Sequence, residues 1–153
     1  MGLDISAYSR LSDPRPLGED DECGANETRF YINDAFPGRA GDIKEKTAYQ
    51  FGESFGFRAG SYSGYNAWRS MLARMVGDDG ESETGPFVEL INFSDCEGVI
   101  AGPAAVKLAK DFADHDDKAK NGLGDEHEWF YAKYKEWRKA FDLAADGGAV
   151  SFH

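Results

Sequence analysis

Residues 54–76 read SFGFRAGSYSGYNAWRSMLARMV, and the hydrophobic period changes once within them. Phe55 and Phe57 alternate with Gly56 and Arg58, the period of two that describes a strand. From Ser63, a residue able to cap a helix, Tyr65, Trp68, Leu72 and Met75 recur at the spacing of one helical face, and Gly77 supplies a stop. A strand handing over to a helix through a glycine and serine turn points to a mixed fold.

Upstream, Leu3 and Ile5 alternate with Asp4 and Ser6, so residues 2–9 read as a strand. Gly2 and Ser6 also fit the loose myristoylation pattern, but the alternation explains them without it. Residues 12–28 read as a polar loop with Pro14, Pro16 and an acidic run. Residues 29–34 (RFYIND) form a short strand closed by Pro37-Gly38, and Thr47 to Phe51 a further aromatic-rich one.

Downstream, residues 78–86 are a polar loop, and Phe87 to Phe93 is apolar enough for a buried strand, with a helical turn as the alternative. Gly102-Pro103 opens a helix, since proline at the first position loses no needed hydrogen bond. Val106, Ala109, Phe112 and Ala113 supply its apolar face, while Lys107, Lys110, Asp111 and Asp114 face water. After a linker over 116–124, Asp125 with Glu128 resembles a capping box. The helix it starts carries Phe130, Tyr134, Trp137, Phe141 and Ala144 and ends at Gly147-Gly148. Residues 149–153 return as a strand. The expected fold is a single α+β domain over 1–153, with a mostly antiparallel sheet and about three helices.

The chain has 153 residues, room for one compact domain, and 41% of them are hydrophobic, which excludes wholesale disorder. With 28 Asp and Glu against 17 Lys and Arg, its formal charge is −11. That field repels a phosphate backbone and an anionic bilayer, so neither direct nucleic-acid binding nor a membrane partner is expected. No apolar run approaches a spanning helix, and the N-terminus has no secretory pattern. A soluble cytoplasmic protein is expected, with Cys23 and Cys96 as free thiols.

Two segments carry candidate chemistry. In Gly56–Arg69, free backbone N–H groups at the helix start, joined by Ser61, suit an anion. Arg58 and Arg69 suit phosphate, and Tyr62 and Tyr65 (or Trp68) suit stacking on a base. The Gly-Lys-Ser/Thr ending of a Walker loop is absent, and tyrosine stands where a nucleophile elbow needs serine. A tight turn with core aromatics is the competing reading. Arg58 falls opposite Phe55 and Phe57, beside Gly56 and Gly60, so it faces a partner or else pairs with Glu53 or Asp95. In Glu89–Ile100, Asn92, Ser94 and Asp95 sit between apolar anchors and suit polar readout of a ligand.

A metal held by Glu89, Asp95 and Glu97 is a weaker reading, as is Asp95-Cys96 paired with a distant histidine. His115 and His127 read as solvated, and His153 stands beside the terminal carboxylate. No histidine spacing supports a general base, and no catalytic residue, metal or cofactor is assigned.

The segments MGLDISAYS, FGFRAGSYSGYNAWR, FVELINFSDCEGVIAGP and AFDLAADGGAVSFH resemble a family of small proteins encoded by bacteriophages and prophages. The resemblance covers about two-thirds of the chain and brings no established activity. It implies an accessory phage protein acting in the host bacterial cytoplasm. The expected function is non-enzymatic capture of a small nucleotide-type ligand, such as a host defence signal, by Arg58, Ser61, Tyr62, Tyr65, Arg69, Asn92, Ser94 and Asp95. The alternatives are an acidic inhibitor or nucleic-acid mimic acting on a host protein, prompted by the acid-rich runs Glu19 to Glu22 and Asp78 to Glu83, and a nucleotide or phosphodiester hydrolase. Homo-oligomerisation is left open.

Overall fold

In a computed structural model describing residues 2–36, 38–78, 82–94, 97–122 and 124–153, the first and last strands lie side by side. β1 (Leu3–Tyr8) pairs antiparallel with β7 (Ala149–Phe152), Ile5 opposite Phe152. Strand β5 (Ser54–Gly60) flanks β1 and β6 (Gly98–Ala101) flanks β7, giving one antiparallel sheet in the order β5-β1-β7-β6. Leu3, Ile5 and Ala7 are buried while Asp4, Ser6 and Tyr8 are half-buried, the period-two signature of a sheet packed mainly on one face.

Three long helices cover that face. They are α1 (Tyr62–Val76), α3 (Gly102–Asp114) and α5 (His127–Ala145), accompanied by the short α2 (Val88–Ile91) and α4 (Asp116–Lys120). Phe130, Tyr134, Trp137, Phe141 and Ala144 of α5 are all buried, as the sequence spacing predicts. Trp137 stands at the centre, within 5.5 Å of Trp68 and Phe152 and 5.1 Å of Phe57, measured between ring centroids. Rings this large dominate the apolar area removed from water.

Part of the sheet's other face is covered by a second, three-stranded antiparallel sheet. Its order is β2-β4-β3, formed by Ser12–Pro16, Thr47–Gln50 and Glu27–Thr28. Phe30, Ala40 and Tyr49 bury Val99, Ala101 and Ala149 there. The chain is one α+β domain. Among the described residues, no helix is long and apolar enough to cross a membrane.

Several local expectations are corrected. Residues 12–28 carry two strands rather than a plain loop. Residues 29–34 form no strand, because the Ile32 N–H is taken by the Glu45 carboxylate at 2.9 Å instead of by a neighbouring strand. Phe87 to Phe93 holds the α2 turn, not a strand. Phe87 enters it at φ 62, with its N–H donated to Asp111 Oδ2 at 3.0 Å. The α3 apolar face is Ala105, Leu108, Ala109 and Phe112, leaving Val106 53% exposed and Ala113 exposed. Residues 116–120 are helical, and α5 begins without the Asp125 cap. Cys23 is a free thiol; Cys96 lies outside the described residues.

Candidate functional site

The strand-to-helix turn is capped one residue pair earlier than the sequence suggests. Ser61, rather than Ser63, is extended and accepts the Gly64 N–H on its Oγ at 3.0 Å. Its hydroxyl is therefore committed to the helix. Tyr62 follows it at the surface, 39% exposed.

Tyr65, expected to stack on a ligand, is only 2% exposed and lies between Trp137 and Phe152. Its hydroxyl donates to the Phe93 carbonyl at 2.8 Å, and burial pushes its pKa well above the ordinary phenol value. The ring is a core element with no face open to a base.

One turn along, Arg69 lies with its guanidinium carbon 4.9 Å from the centre of the Tyr65 ring. Its Nη1 donates to the Ile91 carbonyl and its Nη2 to Asn66 Oδ1. Tyr65 and Arg69 thus dock α1 on the end of α2, joining the two segments singled out from sequence. Asn92 closes α2 and donates from Nδ2 to the Ser82 carbonyl at 3.0 Å. Ser94 is exposed nearby in sequence, and Asp95 lies outside the described residues.

Arg58 goes elsewhere. It stands opposite Asp4 in the β1–β5 ladder and pairs with that carboxylate at 3.0 Å. The partner is Asp4 rather than Glu53, because Asp4 is its direct cross-strand neighbour on the face away from the helices; Asp95 lies outside the described residues. Both side chains are largely exposed, at 60% and 44%.

Beside the Arg69 contact, an open groove of about 590 Å³ runs along α1. Asn66, Arg69, Ser70, Ala73, Arg74 and Gly77 line it, with Ile91 and Asp78 completing it. The five α1 positions and the capping Gly77 follow the spacing of one helical stripe, so a single helix supplies most of the surface. Arg74 sits in the last turn, where the helix end favours a cation. Its carbonyl accepts the Gly77 N–H, while its side chain makes no ion pair or hydrogen bond among the described residues. Gly77 ends the helix at φ 73, a left-handed conformation that suits glycine. Arg74 and the groove were missed from sequence, although its one-face spacing from Asn66 and Ser70 was visible.

The far side of the α2 segment is held by Lys107. Its Nζ reaches Glu89 and Asp111 at 2.8 Å each and the Gly85 carbonyl at 2.7 Å. Burial works to lower the Lys107 pKa, but its bonds to Asp111 and Glu89 outweigh this and raise it. Glu89 is thereby an ion-pair partner, and the Asp111 carboxylate is largely drawn out of water while the Lys107 side chain stays 40% exposed. Among the described residues, no group of three or more His, Cys, Asp or Glu side chains is arranged to hold a metal. His115 and His127 are half-buried; His115 Nδ1 lies 2.9 Å from the Asp111 carbonyl.

No family model, curated protein or solved structure compared with this chain matches it.

Proposed function

We propose that the protein captures a small phosphate-bearing, nucleotide-type ligand in the α1 groove. The observation carrying this reading is the convergence of Arg69 and Arg74 on one groove in a chain whose net charge is −11. Two cations on one helical stripe give an anion a local well that distant, screened carboxylates do not cancel. Arg69 is held in place by Ile91 and Asn66, so little side-chain entropy is lost when it meets a ligand. Asn66 and Ser70 add neutral hydrogen-bonding groups, and Ala73 with Ile91 offers an apolar floor to a sugar or base. The groove volume, about 590 Å³, falls in the usual range for small-molecule sites. Asp78 borders the groove and opposes the anion at that end.

The resemblance to phage accessory proteins supplies the biological context, which is sequestration of a host nucleotide signal in the bacterial cytoplasm. Arginine, asparagine and serine are the chemistry of capture, and the role proposed is binding without turnover. Thermal-shift measurements against mono-, di- and cyclic nucleotides test it. A stabilisation by at least one of them that disappears in Arg74→Ala supports the reading. No shift with any of them, or the same shift in the variant, removes it.

A further inference from the structure

On the face of the four-stranded sheet away from the helices lies a second groove, of about 490 Å³. Ser151 of β7 and His153 just beyond it reach it, as do Arg29 and Tyr31 from the segment after β3, and Glu45 and Lys46 from the turn before β4. Glu97 also borders it.

The groove is braced before any ligand arrives. The Ile32 N–H bond to Glu45 Oε1 ties the two flanking segments together. His153 exchanges backbone hydrogen bonds with Asp4, at 2.8 and 3.0 Å, and its Nε2 lies 2.9 Å from Ser6 Oγ. The imidazole is therefore fixed from both its backbone and its ring.

Lys46 is held at φ 52, a left-handed conformation that non-glycine residues seldom adopt. The turn accounts for it, since the Lys46 carbonyl accepts the Leu17 N–H at 2.7 Å, and it leaves the Lys46 side chain on the groove. Arg29 and Lys46 also form no ion pair among the described residues, in a chain with 28 acids to choose from. Glu45, the nearest acid in sequence, spends an oxygen on Ile32. Beside these cations the Tyr31 ring is 54% exposed, a large apolar face left in water.

We propose that this groove is a separate binding site for a nucleoside monophosphate. Arg29 and Lys46 hold the phosphate, Tyr31 stacks on the base, and Ser151 with His153 hydrogen-bonds the sugar. The site does not rest on the α1 groove reading.

Titration of the full chain with adenosine monophosphate, followed through the His153 imidazole NMR signals, tests the assignment. Inorganic phosphate is the second probe. Adenosine monophosphate moves the His153 signals, and its affinity falls about tenfold or more in Arg29→Ala and in Lys46→Gly, since charge-assisted bonds are lost. Lys46→Gly keeps the φ that this turn requires, so the fold survives it. Tyr31→Ala weakens the nucleotide several-fold and leaves inorganic phosphate unaffected, while Arg74→Ala changes neither. The proposal is overturned by unmoved His153 signals, by equal shifts in the Arg29 and Lys46 variants, or by phosphate binding as tightly as the nucleotide. Loss of binding in Arg74→Ala alone would also overturn it, while supporting the α1 groove.

Discussion

The Tyr65 hydroxyl donates to the Phe93 carbonyl at 2.8 Å across 28 residues of chain, and both residues are buried. This bond fixes the start of α1 against the segment leaving α2. Tyr65→Phe keeps the ring and strands a buried carbonyl oxygen without its donor. We expect a loss of about 1–3 kcal/mol in urea unfolding, the cost of an unsatisfied buried acceptor. An unchanged midpoint would show that the carbonyl finds another partner.

Arg58→Ala removes an ion pair between two exposed side chains. Its cost is expected to stay under about 1 kcal/mol. Nucleotide capture in the α1 groove is expected to match wild type, because Arg58 belongs to the opposite face of the sheet. A variant that folds normally but loses capture would restore Arg58 as the ligand residue suggested by its glycine neighbours.

Gly148 is placed where no side chain fits. A Cβ there would lie 1.7 Å from the Tyr8 carbonyl oxygen, a backbone atom in the sheet. Gly148→Ala must push β7 from β1 and is expected to cost about 3 kcal/mol or more, the upper end of overpacking effects. Thermal unfolding measures it, and a drop of less than a degree would refute the close approach.

Lys107 gives the alkaline limit. Its folded pKa lies above the ordinary 10.5, so the stabilisation from Glu89 and Asp111 is complete below that value. It is lost as pH rises through the folded pKa, once the ammonium is discharged. Lys107→Met is expected to flatten stability over that alkaline window. Urea midpoints from pH 9 upward in the two proteins check this; parallel curves would assign the alkaline loss to other groups.

What the sequence disclosed follows from how local each signal is. The stripe from Phe130 to Ala144 and the alternation of Leu3, Ile5 and Ala7 need only near neighbours, and both survive in the structure. The α3 face came out shifted because alanines make a weak stripe, and Ala105 with Leu108 competes evenly with Val106 and Ala113. The run at 87–93 is too short for periodicity to separate strand from turn, and its outcome depends on Lys107 and Asp111, some twenty residues away.

The candidate site was half legible. Arg69 and Asn92 were marked, but their use depends on α1 meeting α2, which no spacing encodes. Tyr65 looked like a ligand residue because an aromatic after a glycine turn reads the same whether it points inward or outward. The pairing of Ser6 with His153 joins residues 147 apart and is visible only once β1 and β7 are neighbours.

Isothermal titration calorimetry with the most stabilising nucleotide, on wild type and Arg74→Ala, tests the central claim most directly. Arg74 is exposed and outside the core, so its removal leaves the unfolding midpoint nearly unchanged. The account predicts an affinity at least about tenfold weaker in the variant, the worth of one charge-assisted contact to phosphate. Equal affinities in two equally stable proteins would contradict it.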